Sequence, residues 1–212
     1  MIRVKSKEAP PDFDRVVRSP GQKFLTTHRR PTAKQFRSHN YWVKILKQLH
    51  ENYNGICAYS CHFIPYDTGS DTVEHFKPKS LHPSEAYSWN NYRLVCATLN
   101  GRKGNREDVL DPFVIDDSWF SLEFPSLLVK PTRDLNKNLK KMVFTTCMRL
   151  GLNDENTCLK SRERYIKDYC QGHIDFFYLS RDAPFIAREL RKQNLVDRIR
   201  DIMDYSSVSE NE

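Results

Sequence analysis

The sequence predicts an α+β chain, helical towards both ends and strand-bearing in the middle. Three observations predict this. Apolar residues recur at helical spacing over 33–53, short apolar runs bounded by turn residues and prolines lie between 109 and 131, and three amphipathic stripes fill the last third. A length of 212 residues suits one compact domain or a small core with appended helices.

Composition narrows the class. Hydrophobic residues make up 39% and aromatics 12%, enough for a packed core and too much for a disordered chain. The net charge of +7 is modest but favours polyanions over acidic partners. No apolar run approaches the ~18 residues of a membrane span, and Met1-Ile2-Arg3-Val4-Lys5 is not followed by an apolar stretch of the kind that directs secretion. Six cysteines at irregular spacing do not form a disulfide framework, so a reducing cytoplasm is the expected compartment.

Taken in order, residues 1–31 read as a basic arm, because Pro10-Pro11, Ser19-Pro20-Gly21 and Arg29-Arg30-Pro31 interrupt any long helix. Such an arm would touch a phosphate backbone, lie against a partner or stay solvated. Residues 32–110 form the next unit. It begins with one helix over 33–53, on which Phe36, Trp42, Val43, Leu46, Leu49 and Tyr53 share a core-facing stripe, and Gly55 ends that helix. In the third unit, 111–205, Val109–Phe113 at its border and Trp119–Phe124 read as short extended segments with Asp116-Asp117 as a turn. Pro125 and Pro131 confine Leu127-Leu128-Val129 to a short or edge strand. Leu135 to Leu150 carry one helical stripe closed by Gly151, and Leu159 to Phe177 a second, entered near Asn153 or Asp154. Phe185 to Ile202 carry a third, entered through Pro184. Residues 206–212 read as a frayed tail.

The chemistry concentrates between Gly55 and Asn105. Phosphodiester hydrolysis needs an activated water, a cation on the scissile phosphate and stabilisation of the leaving oxygen. His75 is the natural base near neutral pH, fixed in the chain by Glu74 before it and Phe76 and Pro78 after it. Hard divalent cations take oxygen ligands, which Glu74 and Asn100 supply. Asn91 is suited to hold the loop that carries His75 through backbone hydrogen bonds. Lys103, one helical turn after Asn100, would face the phosphate.

Glu74-His75-x-x-Pro78, then Asn91-x-x-Leu94-x-Cys96, then Asn100-x-x-Lys103-Gly104 resembles the HNH endonuclease motif of the ββα-metal fold. The resemblance implies a small ββα-metal core, with a β-hairpin carrying Glu74-His75 and a helix carrying Asn100 that hold Mg²⁺ or Mn²⁺ between them. It implies His75 as general base, Glu74 and Asn100 as metal ligands and Asn91 as the central Asn. Glu-His in place of the commoner Asp-His is a departure that still presents a carboxylate. More narrowly, Thr72–Ser80, Ala86–Trp89 and Arg149–Asp154 are similar to the HNH subunit of Septu-type, retron-associated anti-phage defence. That likeness covers about residues 50–190 and implies an ABC-like ATPase partner for a nuclease effector. DNA is the usual substrate of the family, with RNA left open.

Many HNH proteins add a structural zinc on two Cys-x-x-Cys pairs. Here Cys57-x-x-x-Cys61 is followed by Cys96-x-x-Leu99, which leaves three thiolates. His62 or a more distant group would have to complete a tetrahedron; otherwise the fold has lost its zinc. Cys147, Cys158 and Cys170 receive no chemistry. Two other classes stay in view. A non-catalytic nucleic-acid-binding or adaptor subunit on the same fold would be expected to lose at least one of the five site residues, and a zinc-ribbon module would need the fourth thiol.

Overall fold

The computed structural model describes residues 1–68, 70–203 and 205. The chain is α+β, mostly helical, with two small antiparallel sheets. It opens on extended residues 1–10 and a π-helical turn, Asp14–Arg18, that runs straight into α1 (Ser19–Thr27). Pro20 does not break this helix: it follows directly on the π-helical turn, whose last bond, Ser19 N–H to Asp14 O, spans five residues. The arm is therefore neither free nor extended throughout. Met1, Phe13, Val17 and Phe24 are buried, Val4 N–H donates to Pro112 O at 2.8 Å, and the Trp89 indole donates to Lys7 O at 2.7 Å. Apolar side chains at positions 13, 17 and 24 supply the reason: they line one face once the turn and α1 join.

The single helix expected over 33–53 is broken. Thr32 caps α2 (Ala33–Ser38) in a reciprocal capping box with Gln35. His39 and Asn40 interrupt it, a 3₁₀ turn spans Tyr41–Ile45, and α3 (Leu46–Asn52) follows. Phe36, Ile45 and Leu49 enter the core, whereas Val43 faces solvent. Gly55, at φ +68, lets the chain turn sharply away.

Strand β1 (Asp71–His75) pairs antiparallel with β2 (Tyr92–Cys96), in a register that sets Glu74 opposite Arg93 and His75 opposite Tyr92. Helix α4 (Ala97–Lys103) starts directly from the end of β2. Beyond it, β3 (Phe120–Leu122) pairs with β4 (Val129–Pro131), the proline lying at the sheet edge as its missing donor requires. Val109–Phe113 forms no strand; Asp111 there is taken up by the Arg93 guanidinium.

Helix α5 (Lys137–Leu150) is capped by the Asn136 side chain and closed by left-handed Gly151, as its apolar stripe predicts. The second stripe is split into α6 (Cys158–Cys170) and α7 (Phe176–Asp182) by a turn at Gly172, which leaves Phe177 exposed. The third is split likewise into α8 (Pro184–Lys192) and α9 (Ile199–Met203). The 206–212 tail lies outside the described residues. Among those described, no helix is long and apolar enough to cross a membrane.

Packing between the N-terminal helices and the site is tight at Gly21. A Cβ at that position would lie 2.1 Å from Cγ of Tyr87, whose ring also packs on Trp42. Two effects compete in Gly21→Ala: helix propensity favours alanine by roughly 1 kcal/mol, while overpacking a closed core costs roughly 1–3 kcal/mol. The contact is far inside van der Waals range, so the clash is expected to win. Urea unfolding should show the variant less stable, and an unchanged or raised midpoint would refute the close approach.

Candidate functional site

Residues that alternate along a strand face opposite sides, and cross-strand partners share a side. Thr72 and Glu74 therefore share one face with Val95 and Arg93, while Val73 and His75 share the other with Leu94 and Tyr92. Helix α4 covers the first face. Asn100 sits over Thr72 and Lys103 over Glu74, one helical turn apart.

Glu74 is buried, and the Lys103 ammonium lies 2.7 Å from its Oε1. The two form an ion pair inside the protein. Burial pushes the Glu74 carboxyl up to about 7 even though Lys103, Lys79 and Arg93 all pull it down. Lys103 is itself fully buried and also donates to His75 O at 3.3 Å. It does not face a phosphate as expected; it is the internal counterion of Glu74. The correction follows from helix geometry: the i, i+3 spacing that puts Asn100 at the hairpin puts Lys103 there too.

Asn100 is oriented by its neighbour. The Thr72 hydroxyl gives its hydrogen to Val95 O at 2.6 Å, so it can only accept from Asn100 Nδ2 at 2.8 Å. That leaves Asn100 Oδ1 turned away from Thr72, without a hydrogen bond among the described residues.

His75 lies on the opposite face, under the edge of Trp42 with ring centroids 4.6 Å apart, and against Tyr92. Its Nε2 donates to Ala86 O at 2.9 Å, a carbonyl that also accepts from Tyr92 Oη. A carbonyl can only accept, so the proton resides on Nε2 and Nδ1 carries the lone pair. Nδ1 has no hydrogen bond among the described residues. Burial, helped by Lys79 and Lys103, pulls the His75 pKa down to about 3 against the opposing Ala86 hydrogen bond.

Asn91 holds the turn after His75. Its Oδ1 accepts from Lys77 N–H at 2.7 Å and its Nδ2 donates to Lys77 O and Glu85 O, while its own carbonyl accepts from Phe76 N–H. It makes no approach to solvent, and its role is to position His75 by fixing the backbone on both sides of the loop.

The cysteines do not gather. Cys57 accepts a hydrogen bond from Cys96 N–H at 3.5 Å, but Cys61 turns away towards residues 1 and 2 and donates to Tyr59 O. Leu99 is buried in the core where a fourth thiol would stand. Burial opposes ionisation of Cys57, yet hydrogen bonds from Cys96 and Ser60 pull it down to about 6; the same contact pushes Cys96 up. Among the described residues, no three His, Cys, Asp or Glu side chains converge as metal ligands. The donors at Cys57, Cys61 and Cys96 thus do not fit a zinc tetrahedron as placed. Glu74 and Asn100 do bring a carboxylate and an amide to one face of the hairpin, the oxygen types that a hard divalent cation takes.

Sequence reasoning missed three contributors. Lys79, half-buried beside Glu74 and His75, sits 5.3 Å over the Trp42 ring. Trp42 covers the base instead of joining the interior stripe, and Thr72 orients Asn100. No periodicity marks Lys79; only its place in the Phe76-Lys77-Pro78-Lys79 run hints at it. Neither a protein-family model nor a curated protein sequence matches the chain.

A neutral buried His75 has a signature in stability. Its folded pKa of about 3 lies below the ordinary 6.5, so the unfolded chain binds the extra proton first as pH falls. The stabilisation is therefore complete above about pH 6.5 and lost on acidification, by up to ~1.4 kcal/mol per pH unit for one such group. In EDTA, wild type should lose more stability between about pH 7 and about pH 5 than His75→Gln. Parallel losses would contradict it.

Proposed function

We propose that the chain is a metal-dependent endonuclease of the HNH type, hydrolysing phosphodiester bonds in nucleic acid. One observation carries the reading. A hairpin followed directly by a helix brings an acid and an amide oxygen to one face, with a neutral, oriented imidazole carried by the adjacent strand residue. In this reading His75 accepts the proton of the attacking water at Nδ1, and Ala86 O fixes the tautomer by holding Nε2–H. Asn91 keeps the His75 loop in place, and Lys103 tethers the Glu74 carboxylate. Mg²⁺ or Mn²⁺ held by Glu74 and Asn100 would neutralise charge on the scissile phosphate and the leaving oxygen. DNA is the favoured substrate and RNA the second choice, since the site chemistry is common to both. The competing adaptor reading gains no support from a particular feature: all five residues are present and ordered around one hairpin.

The test is cleavage of supercoiled plasmid, single-stranded DNA and total RNA with Mg²⁺ or Mn²⁺, for wild type and His75→Ala. Loss of a general base is expected to slow cleavage roughly 10²–10⁴-fold without unfolding the chain. Equal cleavage by the variant would sink the assignment.

The reading extends to a cytoplasmic anti-phage complex in which an ABC-like ATPase controls the nuclease. Helix α5 offers a face for such a partner. Phe144 and Met148, four residues apart, are 57% and 67% exposed on it, and every charge on the helix is positive: Lys137, Lys140, Lys141 and Arg149. That pattern suits an acidic, grooved protein surface more than a second copy of this +7 chain. Arg102 of α4 donates to Leu150 O and Gly151 O, so the face is tied to the helix carrying Asn100. Met148→Glu should abolish co-purification with the ATPase encoded alongside while sparing cleavage by the lone chain. Undiminished co-purification would place the interface elsewhere.

A further inference from the structure

We infer that Lys79 is the residue that takes the scissile phosphate, and that Trp42 is the resting place its ammonium leaves to do so. The inference rests on the phosphodiesterase reading above and supplies the phosphate contact that Lys103 does not make.

Four cations surround Glu74 and His75, and three are committed. Lys103 is fully buried against Glu74. Arg93 is held by Asp111 through paired bonds of 2.9 and 2.7 Å, with its guanidinium 3.5 Å from the centroid of the Phe113 ring and 5.3 Å from that of Phe76. Lys77 reaches outward to Glu85 at 3.4 Å. Lys79 has no ion pair and no hydrogen bond among the described residues. Its ammonium instead rests 5.3 Å from the Trp42 ring centre, close enough for its charge to act on both Glu74 and His75.

That arrangement is poised for exchange. A cation over an aromatic face is weakly held compared with a charge-assisted hydrogen bond to an anionic oxygen. A phosphate arriving beside Lys79 offers the ammonium the stronger partner. Its stem is anchored by buried Pro78, and Asn91 fixes the backbone at Lys77, so the head can swing while the base stays put. Trp42 packs edge-on against His75 on the same side. Lys103 then has a distinct task, which explains why a site with two lysines keeps one of them out of solvent.

The experiment compares wild type, Lys79→Met, Lys79→Arg and His75→Ala, all first shown to be folded by circular dichroism. Binding of fluorescein-labelled DNA and RNA oligonucleotides is followed by anisotropy in EDTA across a KCl series, which requires no turnover. Hydrolysis of bis(p-nitrophenyl) phosphate with Mn²⁺ is measured in parallel. Lys79→Met is expected to weaken binding roughly ten- to hundredfold and to flatten the log–log salt slope by about 0.7–0.9, one phosphate contact. It should raise KM for the small diester, and Lys79→Arg should restore most of the affinity. Unchanged affinity and slope in Lys79→Met, with hydrolysis abolished in His75→Ala, would overturn the Lys79 role and leave the nuclease reading standing. Hydrolysis surviving in His75→Ala would overturn the reading instead, and absence of any oligonucleotide binding by wild type would overturn both.

Discussion

A carboxylate and an ammonium buried together, Glu74 and Lys103, hold helix α4 against the β1–β2 hairpin, and the rest of the site depends on that contact. Separating the pair would leave one charge alone in the interior, at roughly 3–5 kcal/mol. The pair is an expensive way to join two elements, since an apolar contact of the same volume would serve packing as well or better. What it provides is a charged oxygen at a fixed place. Burial pushes Glu74 towards its protonated form, with the carboxyl up at about 7, although the Lys103 ammonium lies 2.7 Å from its Oε1. A buried acid held that close to its own titration point is more readily explained by chemistry than by stability.

Around that contact, each neighbouring residue fixes one degree of freedom. Thr72 turns the Asn100 amide, Ala86 O sets the His75 tautomer, and Asn91 ties the loop between the strands. These constraints run through backbone carbonyls and one hydroxyl, groups whose donor or acceptor role is not ambiguous. The orientation of Asn100 Oδ1 and His75 Nδ1 is therefore a consequence of hydrogen-bond bookkeeping in the hairpin rather than of either side chain alone.

Much of this was legible in the sequence, and the misses have physical causes. Helix α5 was readable because its stripe is long and its ends carry Asn136 and Gly151. Asn91 was readable as a loop clamp because a buried amide between two strand-forming runs has few other uses. The N-terminal arm was misread because prolines were taken as breaks, while Pro20 is accommodated directly after a π-helical turn. The 33–53 helix was misread because apolar spacing survives across a break at His39-Asn40, where two shorter helices and a 3₁₀ turn keep the same side inward. Lys103 was misplaced for a reason no periodicity records: whether it is buried depends on where α4 meets β1. The cysteine set shows the same limit, since spacing alone did not reveal that Cys61 turns away from Cys57 and Cys96.

The account stands or falls on whether Glu74 and Asn100 form one divalent-cation site beside His75. Mn²⁺ titration of the ¹⁵N-labelled chain, read by paramagnetic broadening, tests this without any substrate or partner. The expected result is saturable broadening centred on Thr72–His75 and Asn100, lost in Glu74→Gln. Broadening confined to exposed acidic residues such as Glu107 and Asp108, or unaffected by Glu74→Gln, would contradict it.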